Sequence, residues 1–477
     1  MTDPSSQEAP GRVALLIKRL SGGRVEIPSS LAGLRDSETA KAAGLAGAMI
    51  ANNVIALGST IVFSRLLKDK QGGGYGSLAA LVSYFLILSV VGQAMQVATA
   101  REGVLGHLGV GAALMATVKR WTRGLLLFTL GLTVISVLLR NPIASAVGVK
   151  HNQWAAALGL PAAGLWLELS VLRGVLQGVG DYKGVGLSLV GEQGVRLVVG
   201  AALAAAGLSV TGAYLGTPLS FIAMGLFCAA RLRKHIREVE GEALGAVTVA
   251  PAAVFSLWDH VKRAWAPIAG LIVIAVLQNI DVIAAKHRFT THVASSYGAV
   301  AVAAKVLIWV AMGAGFYLVP EVSRRRAAGQ DPRPILVRAL GIVLVCAVPV
   351  LLIFGLEANL LIKAAFGASK TLAASSLIVL GLAFTVLACT YLAIQYMLAL
   401  RRTGFLVVLA AVAVAEPILL LNASHQPKSF AAVVLGVQAV GAALAFVFAL
   451  RPDRSPPPPA SHSEPRSQDS QRIPEPV

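Results

Sequence analysis

Apolar residues run through this chain in blocks of about 20, the length at which a helix crosses the hydrocarbon core of a bilayer. Short breaks rich in Arg, Lys, Pro and Gly separate the blocks. Twelve spans are read this way: 42–64, 76–99, 121–139, 154–172, 184–206, 211–230, 264–285, 295–319, 335–356, 372–399, 404–422 and 429–450. The stretch 103–117 is apolar but short, and predicts an interfacial helix leading into the third span. The longest internal break, 231–263, divides the spans six and six. An even number in each half gives both halves the same orientation, as in a parallel repeat about an axis along the membrane normal. Tyr75-Gly76 opens the second span after a Gly-rich turn, and Tyr297-Gly298 opens the eighth at the matching place. The predicted fold class is an all-α polytopic membrane protein of about 12 transmembrane helices. Its parts are a polar tail (1–39), a first six-helix lobe (40–230), a linker (231–263), a second six-helix lobe (264–450) and a Pro-rich tail (451–477), expected to be disordered.

Composition supports lipid as the solvent. Hydrophobic residues make up 56% of the chain and charged residues 13%, with a mean hydropathy of +0.73. Soluble domains carry about 25% charge, enough polar surface to cover themselves, and this chain has half that. A net charge of +18 would suggest nucleic acid in a soluble protein, but most of these cations lie in the breaks, where they meet lipid headgroups. Of 41 Lys and Arg, 28 fall in segments on the side of the N-terminus and 10 on the opposite side. The positive-inside rule then places both termini in the cytoplasm and the protein in the cytoplasmic (inner) membrane. The first apolar run begins near Ala42, too deep for a cleaved secretory leader, and is read as a retained span. Cys228, Cys346 and Cys389 lie far apart inside apolar runs, with no metal-binding spacing, and predict neither a metal nor a disulfide framework. Gly72-Gly73-Gly74 lacks the Lys and Ser/Thr of a phosphate loop. No cofactor is predicted.

Several short motifs, in order, carry a resemblance. The first span ends Phe63-Ser64-Arg65-Leu66-Leu67, followed by Tyr75-Gly76. Leu172-Arg173-Gly174-Val175-Leu176-Gln177-Gly178-Val179-Gly180 joins the fourth and fifth spans. The second half has Asn279-Ile280-Asp281-Val282, then Tyr297-Gly298, then Pro320 closing the eighth span. Over residues 40–450 the chain resembles the polysaccharide (O-unit) flippase branch of the multidrug/oligosaccharidyl-lipid/polysaccharide exporter superfamily. The resemblance implies two six-helix lobes around a central cavity, and alternating access. Lipid II flippases of that superfamily carry extra C-terminal spans that are not read here.

Ionisable groups at membrane depth are costly, by about 2.5–3.5 kcal/mol on insertion scales, and are functional candidates for that reason. They are Glu168, Glu192, Arg196, Asp281, Lys305 and Glu416. Glu192 and Arg196 are four apart on one helix face. Either they neutralise each other, or Glu192 holds Arg196 toward the cavity, where a guanidinium suits a lipid diphosphate. Lys305 has no acid three or four residues away, so its partner comes from another helix, with Asp281 a candidate. That leaves a structural pair, or a phosphate contact by Lys305 with Asp281 as an ion-coupling carboxylate. Asn52 and Asn53 in the first span, and Gln278 and Asn279 in the seventh, suit helix–helix hydrogen bonds or sugar hydroxyls. Arg65 is read as snorkelling or as a substrate contact. Glu168 and Glu416 pair with bases or take up a proton.

The substrate-binding candidates are therefore Arg196, Lys305, Arg65, Asn53 and Asn279. The ion-coupling or structural acids are Asp281, Glu192, Glu168 and Glu416. The leading function is a flippase for a polyprenyl-diphosphate-linked oligosaccharide. Its expected partners are membrane lipids and the glycan polymerase or glycosyltransferases of the same process, and no nucleic acid. The alternative is an ion-coupled drug antiporter of the same superfamily. A membrane glycosyltransferase is disfavoured, because the external loops reach only about 15 residues. The topology has a direct test. Reporter fusions after Arg402 and within 231–263 should read cytoplasmic, and one near Gly73 external. An external reading within 231–263 would overturn the six-plus-six arrangement.

Overall fold

The computed structural model describes residues 38–67, 74–109, 111–242 and 265–451. Among these the regular structure is all helix. The first half holds α1 (Glu38–Leu66), α2 (Gly74–Val104), α3 (Ala112–Leu138), α4 (Arg140–Val147), α5 (Gln153–Ala157), α6 (Gly159–Gly178), α7 (Tyr182–Leu203) and α8 (Ser209–Glu242). The second holds α9 (Trp265–Arg288), α10 (Thr291–Ala327), α11 (Arg333–Leu356), α12 (Ala358–Phe366), α13 (Leu377–Ala399), α14 (Phe405–Leu421) and α15 (Pro427–Ala449). Among the described residues, ten stretches are long and apolar enough to cross a membrane. One of them, Tyr182–Arg237, contains both α7 and α8, and α14 is a further, shorter apolar helix. The twelve expected spans are thus α1–α3, α6–α8, α9–α11 and α13–α15. The expected tails fall almost wholly outside the described residues, as does the linker beyond Glu242.

Several expectations need correction. No interfacial helix occupies 103–117. Residues from Ala112 form the first turns of α3, because Leu114, Val118 and Trp121 recur on one buried stripe and nothing between them breaks the helix. The first part of the linker is also helix, since α8 carries Arg231, Arg233, Lys234 and Arg237 on to Glu242. Likewise α10 continues past Pro320 to Ala327. Arg173, expected in a cytoplasmic connection, lies inside α6 and is fully buried.

Glycines set how closely the helices approach. Between α2 and α6, a Cβ at Gly103 would stand 2.8 Å from Gly178 Cα, and one at Gly174 would stand 2.6 Å from the Gln96 carbonyl oxygen. Gly92 lies under the Trp166 indole, whose Nε1 donates to the Ser89 carbonyl at 2.7 Å. The close pairs advance together along both helices, so α2 and α6 run parallel. α7 and α8 instead reverse across a π-helical turn at Ala204–Leu208, where Gly207 has φ 102°. Gly200 then meets Gly216, and Gly212 meets Leu203, as antiparallel packing requires.

Charged ends of the helices do a second job. Asp181 caps α7 by accepting from the Gly184 N–H at 2.9 Å, and binds the Arg231 guanidinium with both oxygens, at 2.9 and 3.0 Å. Burial alone would raise its pKa. The Arg231 and Gly184 hydrogen bonds, with the charges of Arg231 and His235, outweigh it and hold Asp181 below the usual carboxylate range. Arg326 donates to the Leu400 carbonyl at the end of α13, and Arg402 to those of Phe448 and Ala449 at the end of α15. Cations there meet the negative end of a helix dipole as well as the headgroups.

The two lobes meet along α2, α9 and α10. The crossing is made by the repeated Tyr-Gly pairs. A Cβ at Gly76 would stand 2.9 Å from the Ser295 nitrogen, and one at Gly298 would stand 3.0 Å from the Ala79 Cβ. Residues Gly74 to Leu81 of α2 are all buried. Toward the other end, Val97 and Val104 of α2 and Ile50 and Val54 of α1 are exposed. The lobes therefore touch at their ends opposite the basic segments, called external below. Gly216→Val places a side chain against the Arg196 carbonyl and Gly200 Cα, at 2.7 and 2.8 Å from its Cβ. It should destabilise the purified protein by about 1–3 kcal/mol, visible as a lowered melting temperature. Gly194→Val, at a position with open space, should change it far less.

Candidate functional site

The second lobe gathers four of the candidate residues into one buried cluster. Asn279 and Asp281 lie on α9, Lys305 on α10 and Glu416 on α14. Lys305 Nζ donates to Asn279 Oδ1 at 3.2 Å and stands 3.8 Å from Asp281 Oδ1. Asn279 in turn donates to the Ala275 carbonyl at 2.9 Å, which fixes its amide. The Tyr297 hydroxyl donates to Asp281 Oδ2 at 3.1 Å. Glu416 accepts from Gln438 Nε2 at 3.2 Å, and the same amide donates to the Leu277 carbonyl at 3.0 Å. Glu416 lies within electrostatic reach of both Asp281 and Lys305. The Phe384 ring closes the cluster, 5.5 Å from the Lys305 ammonium. Two carboxyl groups thus share one ammonium, and Asp281 Oδ1 has no hydrogen-bond donor among the described residues. Among the described residues the cluster therefore holds two acids and one base.

The first lobe is organised around a different residue from the one expected. Glu192 does not pair with Arg196. Its Oε2 lies 2.9 Å from Arg173 Nη2. Arg173 reaches across from α6, donates through Nε to Ser188 Oγ and through Nη2 to the Ser188 carbonyl, both at 2.8 Å, and packs 5.5 Å from the Trp166 ring. Ser188 and Glu192 are one turn apart on α7, so a single planar guanidinium spans both. Arg196, one turn farther along, forms no hydrogen bond or ion pair among the described residues. It is half-buried, and its nearest electrostatic neighbours are Glu192 and Tyr214. The Tyr214 hydroxyl is fully buried without a hydrogen-bond partner, and Tyr84 lies in its electrostatic range.

The other candidates stand apart from these clusters. Glu168, Asn52, Asn53 and Gln278 are half-buried and make no hydrogen bond among the described residues. Arg65, at the external end of α1, donates to the Ala364 and Ala365 carbonyls of α12, at 2.6 and 3.0 Å.

Sequence reasoning passed over Arg173, Tyr297, Lys370 and Gln438. Arg173 falls just past the expected end of the fourth span at 172, yet the helix runs on and Gly174 and Gly178 pack against α2. Lys370 was counted in an external loop. It is buried, donates to Ser295 Oγ at 2.6 Å, and lies 5.9 Å from the Tyr75 ring at the seam between the lobes. Gln438 carried a visible signal, a lone amide deep in an apolar run. Among the described residues no group of three or more His, Cys, Asp or Glu is placed to hold a metal ion.

No protein-family model matches the chain, and no curated protein matches it significantly. Solved structures do. An inward-facing multidrug resistance MATE family transporter of the MOP superfamily aligns over 83% of this chain and 93% of its own, at 14% identity and a TM-score of 0.65. The lipid II flippase MurJ in an inward closed conformation aligns over 85% and 87%, at 13% identity and 0.60. A MOP superfamily transporter from Pyrococcus furiosus, noted for the reverse polarity of its binding pocket, aligns over 85% and 93%, at 15% identity and 0.51. At these identities the likeness shows the fold, which is that of the MOP transporters.

The charge pairing in the first lobe is testable. Arg173→Ala leaves Glu192 buried and unpaired, and should cost about 3–5 kcal/mol of stability. Adding Glu192→Gln should recover part of that loss. Arg196→Ala should move the melting temperature of the purified protein far less. Equal losses from Arg173→Ala and Arg196→Ala would contradict the assignment.

Proposed function

We propose that this protein is a flippase that moves a polyprenyl-diphosphate-linked oligosaccharide from the cytoplasmic to the external leaflet by alternating access. It performs no covalent chemistry. The observation that carries this reading is Arg196. A guanidinium at membrane depth, left without an ion pair while Glu192 is held by Arg173, is suited to an anion that arrives from outside the bundle. The buried Tyr214 hydroxyl beside it offers a neutral donor to the same group. A diphosphate headgroup is such an anion, and its polyprenyl tail stays in the bilayer while the lobes rock. Asn53 and Asn279 remain the candidates for sugar hydroxyls, and Arg65 and Lys305 for further polar contacts. Membrane lipids and the enzymes that build or polymerise the glycan are the expected partners. The protein resides in the cytoplasmic membrane with both termini inside.

The Asp281–Lys305–Glu416 cluster is the proposed coupling site. Its extra carboxyl group binds a proton or a cation in one half of the cycle and releases it in the other. The same cluster favours the second reading, an ion-coupled antiporter of small cations, since two carboxyl groups face one ammonium there.

Cells carrying Arg196→Ala should accumulate the lipid-linked glycan on the cytoplasmic side, by about tenfold or more at equal protein abundance, as expected for loss of a charge-assisted contact. Arg196→Lys keeps the charge without the planar fork and should be partly defective, whereas Lys305→Arg should be milder than Lys305→Ala. Parental flipping in Arg196→Ala, with loss of cationic-drug export in Asp281→Asn, would select the antiporter instead.

A further inference from the structure

The external closure of the lobes is built twice, with the roles of the lobes exchanged. Arg65 ends α1 of the first lobe and donates to the carbonyls of Ala364 and Ala365, in the last turn of α12 in the second lobe. His287, near the end of α9 of the second lobe, bonds through Nε2 to the carbonyl of Ala146 at 2.9 Å, in the last turn of α4 in the first. A carbonyl only accepts, so Nε2 carries the proton in this bond. The helices correspond. α1 and α9 are the first spans of their lobes, and α4 and α12 are the short helices that follow the third. Arg65 precedes Tyr75 by the same ten positions that separate His287 from Tyr297.

The receiving ends match as well. Each short helix stops at a glycine of positive φ, Gly148 at 77° and Gly367 at 96°. At α4 the backbone itself satisfies the Ala144 and Ser145 carbonyls, through the N–H groups of Val149 and Gly148. At α12 the Gly367 N–H satisfies Lys363. The carbonyls that the opposite lobe reaches, Ala146 in one helix and Ala364 and Ala365 in the other, are among the terminal ones left over, at the negative end of each helix dipole.

We infer that Arg65 and His287 are a reciprocal pair of positioning residues that hold the external gate shut. Each caps a helix belonging to the other lobe, so both bonds break when the external ends part. Neither residue is deep in the membrane, and the role does not depend on which substrate is carried. Both latches sit at the rim of the Gly76–Ser295 and Gly298–Ala79 crossing, where a small gain in separation opens the seam.

The test uses the full chain with its three cysteines replaced and Ala79→Cys as a reporter at that crossing. A membrane-impermeant maleimide added from outside labels this position only when the external seam opens. Arg65→Ala and His287→Ala should each speed labelling about two- to fivefold, the range expected for an exposed cation at a helix C-terminus. The double variant should show about the product of the two. Arg65→Lys and His287→Gln retain a donor and should label near the parental rate. A double alanine variant that labels at the parental rate, at equal membrane abundance, would overturn the inference. So would conservative variants that label as fast as the alanine ones, because a retained donor would then not hold the gate. The readout needs no substrate, so it stands or fails separately from the transport assay.

Discussion

Hydrocarbon does not solvate charge, and the architecture of this protein follows from how each lobe answers that constraint. In the first lobe the answer is Arg173, whose fork takes Glu192 and both oxygens of Ser188 and so ties α6 to α7. In the second it is Lys305, placed between Asn279, Asp281 and, at longer range, Glu416. The two solutions differ in surplus. Arg173 and Glu192 neutralise each other, with Arg196 and Glu168 outside that pair, whereas the second cluster holds one carboxyl group more than it has cations. A protein built only to be stable would have closed both accounts with apolar residues, since buried ion pairs contribute little to stability compared with well-packed hydrophobes.

The second constraint is packing. Without water to drive apolar surfaces together, membrane helices associate through close backbone approach, and small residues permit it. Here glycines do so at α2 against α6, at α7 against α8, and at the seam of α2 against α10. The first two contacts lie within the first lobe, where Phe85, Trp166 and Phe221 pack together, and Phe289, Tyr297 and Phe430 form a matching aromatic group in the second lobe. The seam between the lobes has its glycines at the external end, where Gly76 meets Ser295 and Gly298 meets Ala79.

Tyr297 links these two themes. Its hydroxyl binds Asp281, its ring packs in the second lobe's aromatic core, and the next residue, Gly298, forms the seam. A change of charge at Asp281 is therefore felt one residue away from the lobe contact. No long pathway is needed between the proposed coupling site and the gate, because one turn of α10 carries both.

The sequence by itself determined the lipid solvent, the set of about twelve apolar helices and the matching Tyr-Gly pairs, because each is written in local composition. A block of about 20 apolar residues is a span wherever it packs, and a cation in a break between blocks faces headgroups. It also singled out Asp281, Lys305 and Glu416, since a charge at membrane depth is conspicuous without any structure. Which charges meet was decided only by the tertiary structure. Spacing along α7 suggested Glu192 with Arg196, yet Arg173 arrives from another helix and takes Glu192, held there by the hydroxyl and carbonyl of Ser188. Lys370 and Arg65 read as loop and headgroup cations, and became a buried seam residue and a helix cap only once the lobes were placed side by side. Pair identity is a property of helix neighbours distant in sequence, and hydrophobic periodicity holds no record of them.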